Sequence, residues 1–144
     1  MNREIKFRGK RKDKINNEWY YGFLIVEPNN TYWIDNFVNG KRRTVEVTKE
    51  STGQYAGIKD NDGVEIYEGD IVHYDGKPFH IYALKVTGLI VNHKGSWALK
   101  YKQNWKTDCG REVFSYYNFS CEDFFHVKSN VIGNIHENIE LLNY

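Results

Sequence analysis

Apolar and polar residues alternate with a period of two along most of the chain, the pattern of strands that cover one face and wet the other. Ile5 and Phe7 alternate with Lys6 and Arg8 up to Gly9, which predicts a short first strand with the apolar pair inward. Residues 19–27, WYYGFLIVE, form a longer and more apolar run, entered from the polar turn 13–18 and stopped at Pro28-Asn29-Asn30. Strands over 32–38 and 44–48 follow, with Asn39-Gly40 between them as a type I′ hairpin signal. No helix is predicted up to this point.

Turn chemistry is densest in GQYAGIKDNDGVEIYEGDIVHY. Residues 59–63 separate a strand at 55–58 from one at 64–67, and Asp62-Gly63 supplies a residue able to take positive φ where the chain reverses. Glu68-Gly69-Asp70 makes a second bend before a strand at 71–74. A long apolar stretch, 79–92, is interrupted by Gly88, which reads as a bulge or bend. Trp97, Leu99 and Tyr101 then alternate with Ala98, Lys100 and Lys102, an amphipathic strand with the first three inside. Residues 108–120 are polar and aromatic without a clear period. Ser120 and Asp123 form a capping pair for a short helix over 121–126, a strand follows at 131–135, and Asn138 is placed to cap a last turn containing Glu140, Leu141 and Leu142.

The predicted fold is therefore mainly β: small, barrel-like, strongly bent antiparallel sheets with one or two short helices, in a single domain spanning 1–144. Composition agrees, since 4 Trp, 11 Tyr and 8 Phe make 16% of the 144 residues, a content suited to pleated, half-buried surfaces. With 40% hydrophobic residues and only 2 Pro, collagen-like and disordered chains are excluded.

Charge adds a polarity that the total conceals. The formal net charge is +1, yet residues 1–14 hold seven basic side chains against Glu4 and Asp13, while 60–75 hold six acidic ones and no Lys or Arg. Such a pair of opposite poles serves as an intramolecular or intersubunit complement as readily as a ligand site. No secretory h-region and no run approaching a membrane span is visible, which leads to the expectation of a cytoplasmic protein with no membrane association, and with Cys109 and Cys121 as free thiols.

Chemistry-bearing motifs are few. Asp60, Asp62 and Gly63 do not keep calcium-loop spacing, the five histidines are scattered, and nucleophile-elbow, Walker and dinucleotide motifs are missing, so no catalytic, cofactor-binding or metal-binding residue is expected. Glu65, Glu68 and Asp70 could supply paired carboxylates for acid–base work, but ordinary strand and turn roles are the preferred reading. The best chemical hint is cations interleaved with aromatics. Lys10, Arg11, Lys12 and Lys14 form a basic arm, and Lys100, Lys102, Trp105 and Lys106 lie on or beyond the strand that starts at Trp97. Rings stack on bases while cations follow phosphates in single-strand binders. The plainer reading, a strand face with solvated lysines and a solvated arm, is preferred, with Trp105 expected to be more exposed than Trp97.

Three blocks carry a family resemblance: Arg3-Glu4-Ile5-Lys6-Phe7-Arg8-Gly9, the central run from Thr52 through Val72, and Val131-Ile132-Gly133-Asn134-Ile135-His136-Glu137-Asn138. In identity and order they resemble the YopX family, found mainly in phages and prophages of Gram-positive bacteria. Two departures stand out. Ile139 occupies a position where relatives often have proline, and Gly9-Lys10 ends the first block in place of the Ala-Trp of many members. The resemblance implies a mostly β fold and self-association, and it brings no activity, cofactor or catalytic residue. It reads Gly53, Gly57, Gly63, Gly69 and Gly133 as turns and close approaches, and Tyr55, Ile66, Tyr67, Ile71 and Val72 as packing.

The functional expectation is a non-enzymatic phage or prophage accessory protein in the host cytoplasm, acting through protein contacts as a homo-oligomer or with a phage or host protein. A nucleic-acid-binding module on a small β-barrel is the alternative.

Overall fold

In the computed structural model, residues 4–13, 15, 17–77, 83–119, 125 and 128–143 are described. The chain forms two compact units, residues 1–57 and 58–144.

The first unit contains β1 (Phe7–Lys10), β2 (Trp19–Val26), β3 (Tyr32–Val38) and β4 (Lys41–Val47), then a 3-10 turn (Lys49–Ser51) and β5 (Gly53–Lys59), which runs on into the second unit. The sheet order within this unit is β4-β3-β2-β1-β5, and β6 (Glu65–Tyr67) follows in the chain. Asn39 and Gly40 have φ of 51° and 73°, the left-handed pair that a type I′ hairpin requires. Strand β4 begins at Lys41, three residues before the apolar pattern starts, because the turn fixes the pairing Val38 to Lys41 and Phe37 to Arg42 whatever the polarity of the side chains.

The edge of β1 that faces away from β2 is divided between two partners. Phe7 and Arg8 pair with Gln54 and Gly53 of β5, while Arg11 bridges Val47 of β4. Gly9 permits this close crossing, since a Cβ there would lie 2.8 Å from the Val47 side chain. The sheet bends far enough to join at one corner. It does not close into a barrel, as the barrel-like expectation had it, because β5 already holds the rest of the edge that closure would need. Ile34 and Val47 centre the core of this unit.

The first strand also departs from its pattern. Ile5 is 60% exposed and lies outside β1, whereas Arg8 is buried. The guanidinium of Arg8 lies 4.5 Å from the Trp19 ring centroid, so an aromatic face on the neighbouring strand offsets the cost of covering a cation.

The second unit has β7 (Asp70–Gly76), β8 (Leu84–His93), β9 (Ser96–Lys106), β10 (Glu112–Asn118) and β11 (Ser129–Asn134), paired antiparallel in the order β10-β9-β8-β7-β11. A Lys94-Gly95 turn, with φ of 52° and 83°, joins β8 to β9. Ile71, Val72, Ile90 and Leu99 have no measurable exposure. Tyr74, Tyr117, Phe119 and Phe125 form one aromatic cluster with centroid separations of 4.2–5.8 Å. Ala98, expected on the wet face, is buried as well, so β9 is covered on both faces at its start. Strands make up 62% and helical turns 7% of the structure, as the alternation predicted.

The acidic block is architecture. The Asp60 carboxylate accepts the backbone N–H groups of Asp62, Val64 and Val131 at 2.8–2.9 Å, holding the turn and β11 together. Asp70, fully buried, accepts the Tyr67 N–H at 2.7 Å, and Glu65 accepts the Tyr67 hydroxyl at 2.8 Å. The last turn is a 3-10 turn (Ile139–Leu142). Asn138 precedes it without capping it, because its Oδ1 accepts the Asn134 N–H instead. The helix expected over 121–126, Phe125 apart, and the thiol of Cys121 fall outside the described residues.

Candidate functional site

The basic arm is locally partnered. Lys10 Nζ donates to Asn17 Oδ1 at 2.8 Å and lies 5.5 Å from the Trp19 ring centroid. Arg11 Nε donates to Asp13 Oδ2 at 2.6 Å, and that bond, with a further one to Tyr20, raises the Arg11 pKa. Lys12 Nζ meets Glu46 Oε1 at 2.5 Å. Lys14 falls outside the described residues.

The β9 residues divide in the same way. Trp97, Leu99 and Tyr101 are buried as the alternation requires, and Trp105, 59% exposed, is the more open tryptophan as expected. Lys100 Nζ lies 4.8 Å from the Phe114 centroid. Lys102 and Lys106 each lie 3.0 Å from Glu112, one on each carboxylate oxygen, and together hold the Glu112 carboxyl below the usual range. Lys10, Arg11 and Lys12 belong to the first unit and Lys100, Lys102, Trp105 and Lys106 to the second.

A surface that sequence reasoning passed over lies on β2, β3 and β4. Register pairs Phe23 with Asp35, Ile25 with Trp33, Phe37 with Arg42 and Asp35 with Thr44. Residues opposite one another share a face. Tyr21, Phe23, Ile25, Trp33, Asp35, Phe37, Arg42 and Thr44 are therefore on one side, while Leu24, Ile34, Val45 and Val47 are on the core side. Phe23 is 64% and Phe37 69% exposed, with Tyr21 at 43%. Trp33 Nε1 is buried without a hydrogen-bond acceptor. Asp35 accepts from Arg42 and Thr44 at 2.9–3.1 Å, and the Arg42 bond, with that from Thr44, holds its carboxyl below the ordinary range. A signal for half of this face was present in the sequence: in the register that Asn39-Gly40 imposes, Phe37 shares a side with Asp35, Arg42 and Glu46, which marks a wet face.

Cys109 is an exposed thiol within 3.1 Å of Thr107 Oγ1; that contact and the Arg111 backbone lower its pKa. Among the described residues, no three His, Cys, Asp or Glu side chains converge as metal ligands would. No described helix is long and apolar enough to cross a membrane.

Compared with known families, the sequence matches the YopX protein family over residues 6–143, nearly its whole length and across both units. The chain belongs to the YopX family. Among solved structures, the crystal structure of protein EF1440 from Enterococcus faecalis is similar at 22% identity and a TM-score of 0.51, covering 98% of this chain and 99% of that one. The likeness is one of fold. No curated protein matches the sequence. Tyr55, Ile66, Tyr67, Ile71 and Val72 are buried and Gly57, Gly63 and Gly69 have positive φ, the packing and turn roles expected for them.

Proposed function

We propose that this YopX chain is a non-enzymatic accessory protein, encoded by a phage or prophage and active in the host cytoplasm, that works by self-association through the exposed face of β2–β4. The observation carrying this reading is that Phe23 and Phe37, both mostly exposed, lie on one sheet face with Tyr21 and Ile25. Each aromatic side chain brings roughly 150–250 Å² when covered, so the group forms the apolar centre of a contact rather than scattered exposure. A second copy suits it because the same face carries Arg42 beside Asp35, with Glu46 opposite Trp33, giving a patch of both signs that can complement itself about a twofold axis.

The nucleic-acid reading has less support. The basic arm is already neutralised by its neighbours, Lys12 by Glu46 and Arg11 by Asp13. The matched family supports treating both units as one domain and supports the phage origin; a gene set among virion, lysis or integration genes is the expected context.

Sedimentation of the intact protein and of the Phe23→Asp, Phe37→Asp double variant tests the proposal. The expected result is an oligomer that becomes a monomer with unchanged circular dichroism. A wild-type monomer at all concentrations, or an oligomer indifferent to both substitutions, would contradict it; capture of a different protein by the same face would replace self-association with a heterologous contact.

A further inference from the structure

The second sheet splits along its length. Strands β8 and β9 are paired from Leu89–Lys100 to His93–Ser96, and the ladder stops at the Leu89–Lys100 pair. Gly88 sits at that point: a Cβ on it would lie 2.5 Å from the Lys100 carbonyl oxygen, so the backbone of β9 crowds it where the pairing ends. Beyond the fork, β8 follows β7 through Leu84 and β9 follows β10 through Lys106. The space between them is a cleft of 710 Å³, walled by Leu84–Thr87 on one side, Lys102–Asn104 and Lys106 on the other, and Leu141–Asn143 of the last turn. That volume falls in the range of ligand sites, about 300–1,000 Å³.

Two properties define what would fit. Among the described residues, no strand is paired to the cleft-facing side of β8 over 84–87 or of β9 over 102–106, and a strand edge left open is a template for an added strand. The lining also carries Lys85, Lys102 and Lys106, of which Lys85 lies 3.5 Å from Asp75 and the other two share Glu112. Lys102 and Lys106 lie on one face of β9, four residues apart, and Glu112 engages both from the strand at the other edge of β9. Each ammonium has three donors, of which Glu112 takes one. A carboxylate on an added strand would approach the same pair from the open side as Glu112 does from the paired side.

We propose that the fork between β8 and β9 receives an extended acidic peptide segment, added as a strand along the Lys102–Lys106 edge of β9 with its acidic side chains against the two lysines. This site is in the second unit and is independent of the self-association face. Binding falls with salt because charge pairing contributes to it, and main-chain hydrogen bonds fix the register.

The test is fluorescence anisotropy with a labelled peptide of alternating glutamate and valine, titrated with the full-length protein. Three comparisons accompany it: the same peptide N-methylated at alternate residues, a lysine–valine counterpart, and a single-stranded oligonucleotide. The acidic peptide is expected to bind and the lysine counterpart not to. N-methylation is expected to weaken binding at least about tenfold by removing main-chain donors. Lys102→Glu with Lys106→Glu should abolish binding, while Glu112→Gln, which removes the competing carboxylate, should tighten it severalfold. Failure of the acidic peptide to bind the wild-type protein would overturn the proposal, as would indifference to N-methylation, a weaker Glu112→Gln complex, or oligonucleotide binding in preference to peptide. The peptide arms use the unmodified protein, so the outcome does not depend on a variant folding.

Discussion

The two sheets use the same kinds of residue for opposite purposes. In the second unit, Ile71 and Val72 of β7, Ile90 of β8 and Leu99 of β9 have essentially no exposure, and the aromatic rings of Tyr74, Tyr117, Phe119 and Phe125 pack on one another. In the first unit, β2 and β3 place Ile34 inside but leave Phe23 and Phe37 in water beside charged neighbours. The difference lies in register and company rather than in composition. An aromatic in alternation with core residues packs; one that shares parity with Asp35 and Arg42 faces solvent. The comparison teaches that the aromatic excess of this chain is divided between internal packing and an exposed face, the face proposed above for self-association.

The largest break in the comparison should come from truncating one side chain in each sheet. Leu99→Ala in the second sheet should destabilise by about 2–5 kcal/mol, since it empties a fully covered site. Phe37→Ala in the first should stay within about 0.5 kcal/mol for the isolated protomer, as an exposed substitution does. Urea titration at protomer concentrations low enough to exclude association measures both. Equal losses would mean that the face is covered from within.

A second pair sharpens the contrast between carboxylates. Asp60→Ala frees the N–H groups of Asp62, Val64 and Val131, with an expected cost of about 1–3 kcal/mol. Asp35→Ala removes an ion pair on the wet face and should cost clearly less in the same denaturation experiment. Gly88→Ala should cost about 1–3 kcal/mol, because the added methyl meets backbone at the fork, and thermal unfolding reads it directly.

The smallest effect concerns acid. Asp35, beside Arg42, and Glu112, between Lys102 and Lys106, have carboxyl pKa values below ordinary in the folded protein. A lowered folded value means stability that is present above the usual carboxylate range and lost as pH falls through the folded value. Replacing Arg42, or Lys102 with Lys106, by Ala should therefore flatten the acid side of the melting-temperature profile. Screening makes each contribution slight, and high salt should erase it.

Much of the fold could be read in advance because its signals are local. Asn39-Gly40 announced its hairpin, the alternation of Trp97, Leu99 and Tyr101 announced β9, and Asp62-Gly63 announced its reversal. What escaped is non-local or hidden by charge. Strand β4 starts in Lys41-Arg42-Arg43, which carries no apolar period, and Arg8 is buried only because Trp19 lies beside it on another strand. The fork at Gly88 depends on where two ladders diverge, which the order of residues in either strand does not state. The basic arm and the Lys100–Lys106 cations were visible as residue types, but their carboxylate and ring partners at Asp13, Glu46, Phe114 and Glu112 were not.

Oxidative footprinting across a dilution series tests the contrast between the sheets most directly, since it reads each aromatic side chain by its own exposure. As the concentration falls and copies separate, labelling of Tyr21, Phe23 and Phe37 should rise, while Tyr74 and Trp97 stay protected and the exposed Trp105 stays constant as a reference. Labelling of Phe23 and Phe37 that is already maximal at high concentration and unmoved by dilution would contradict the account.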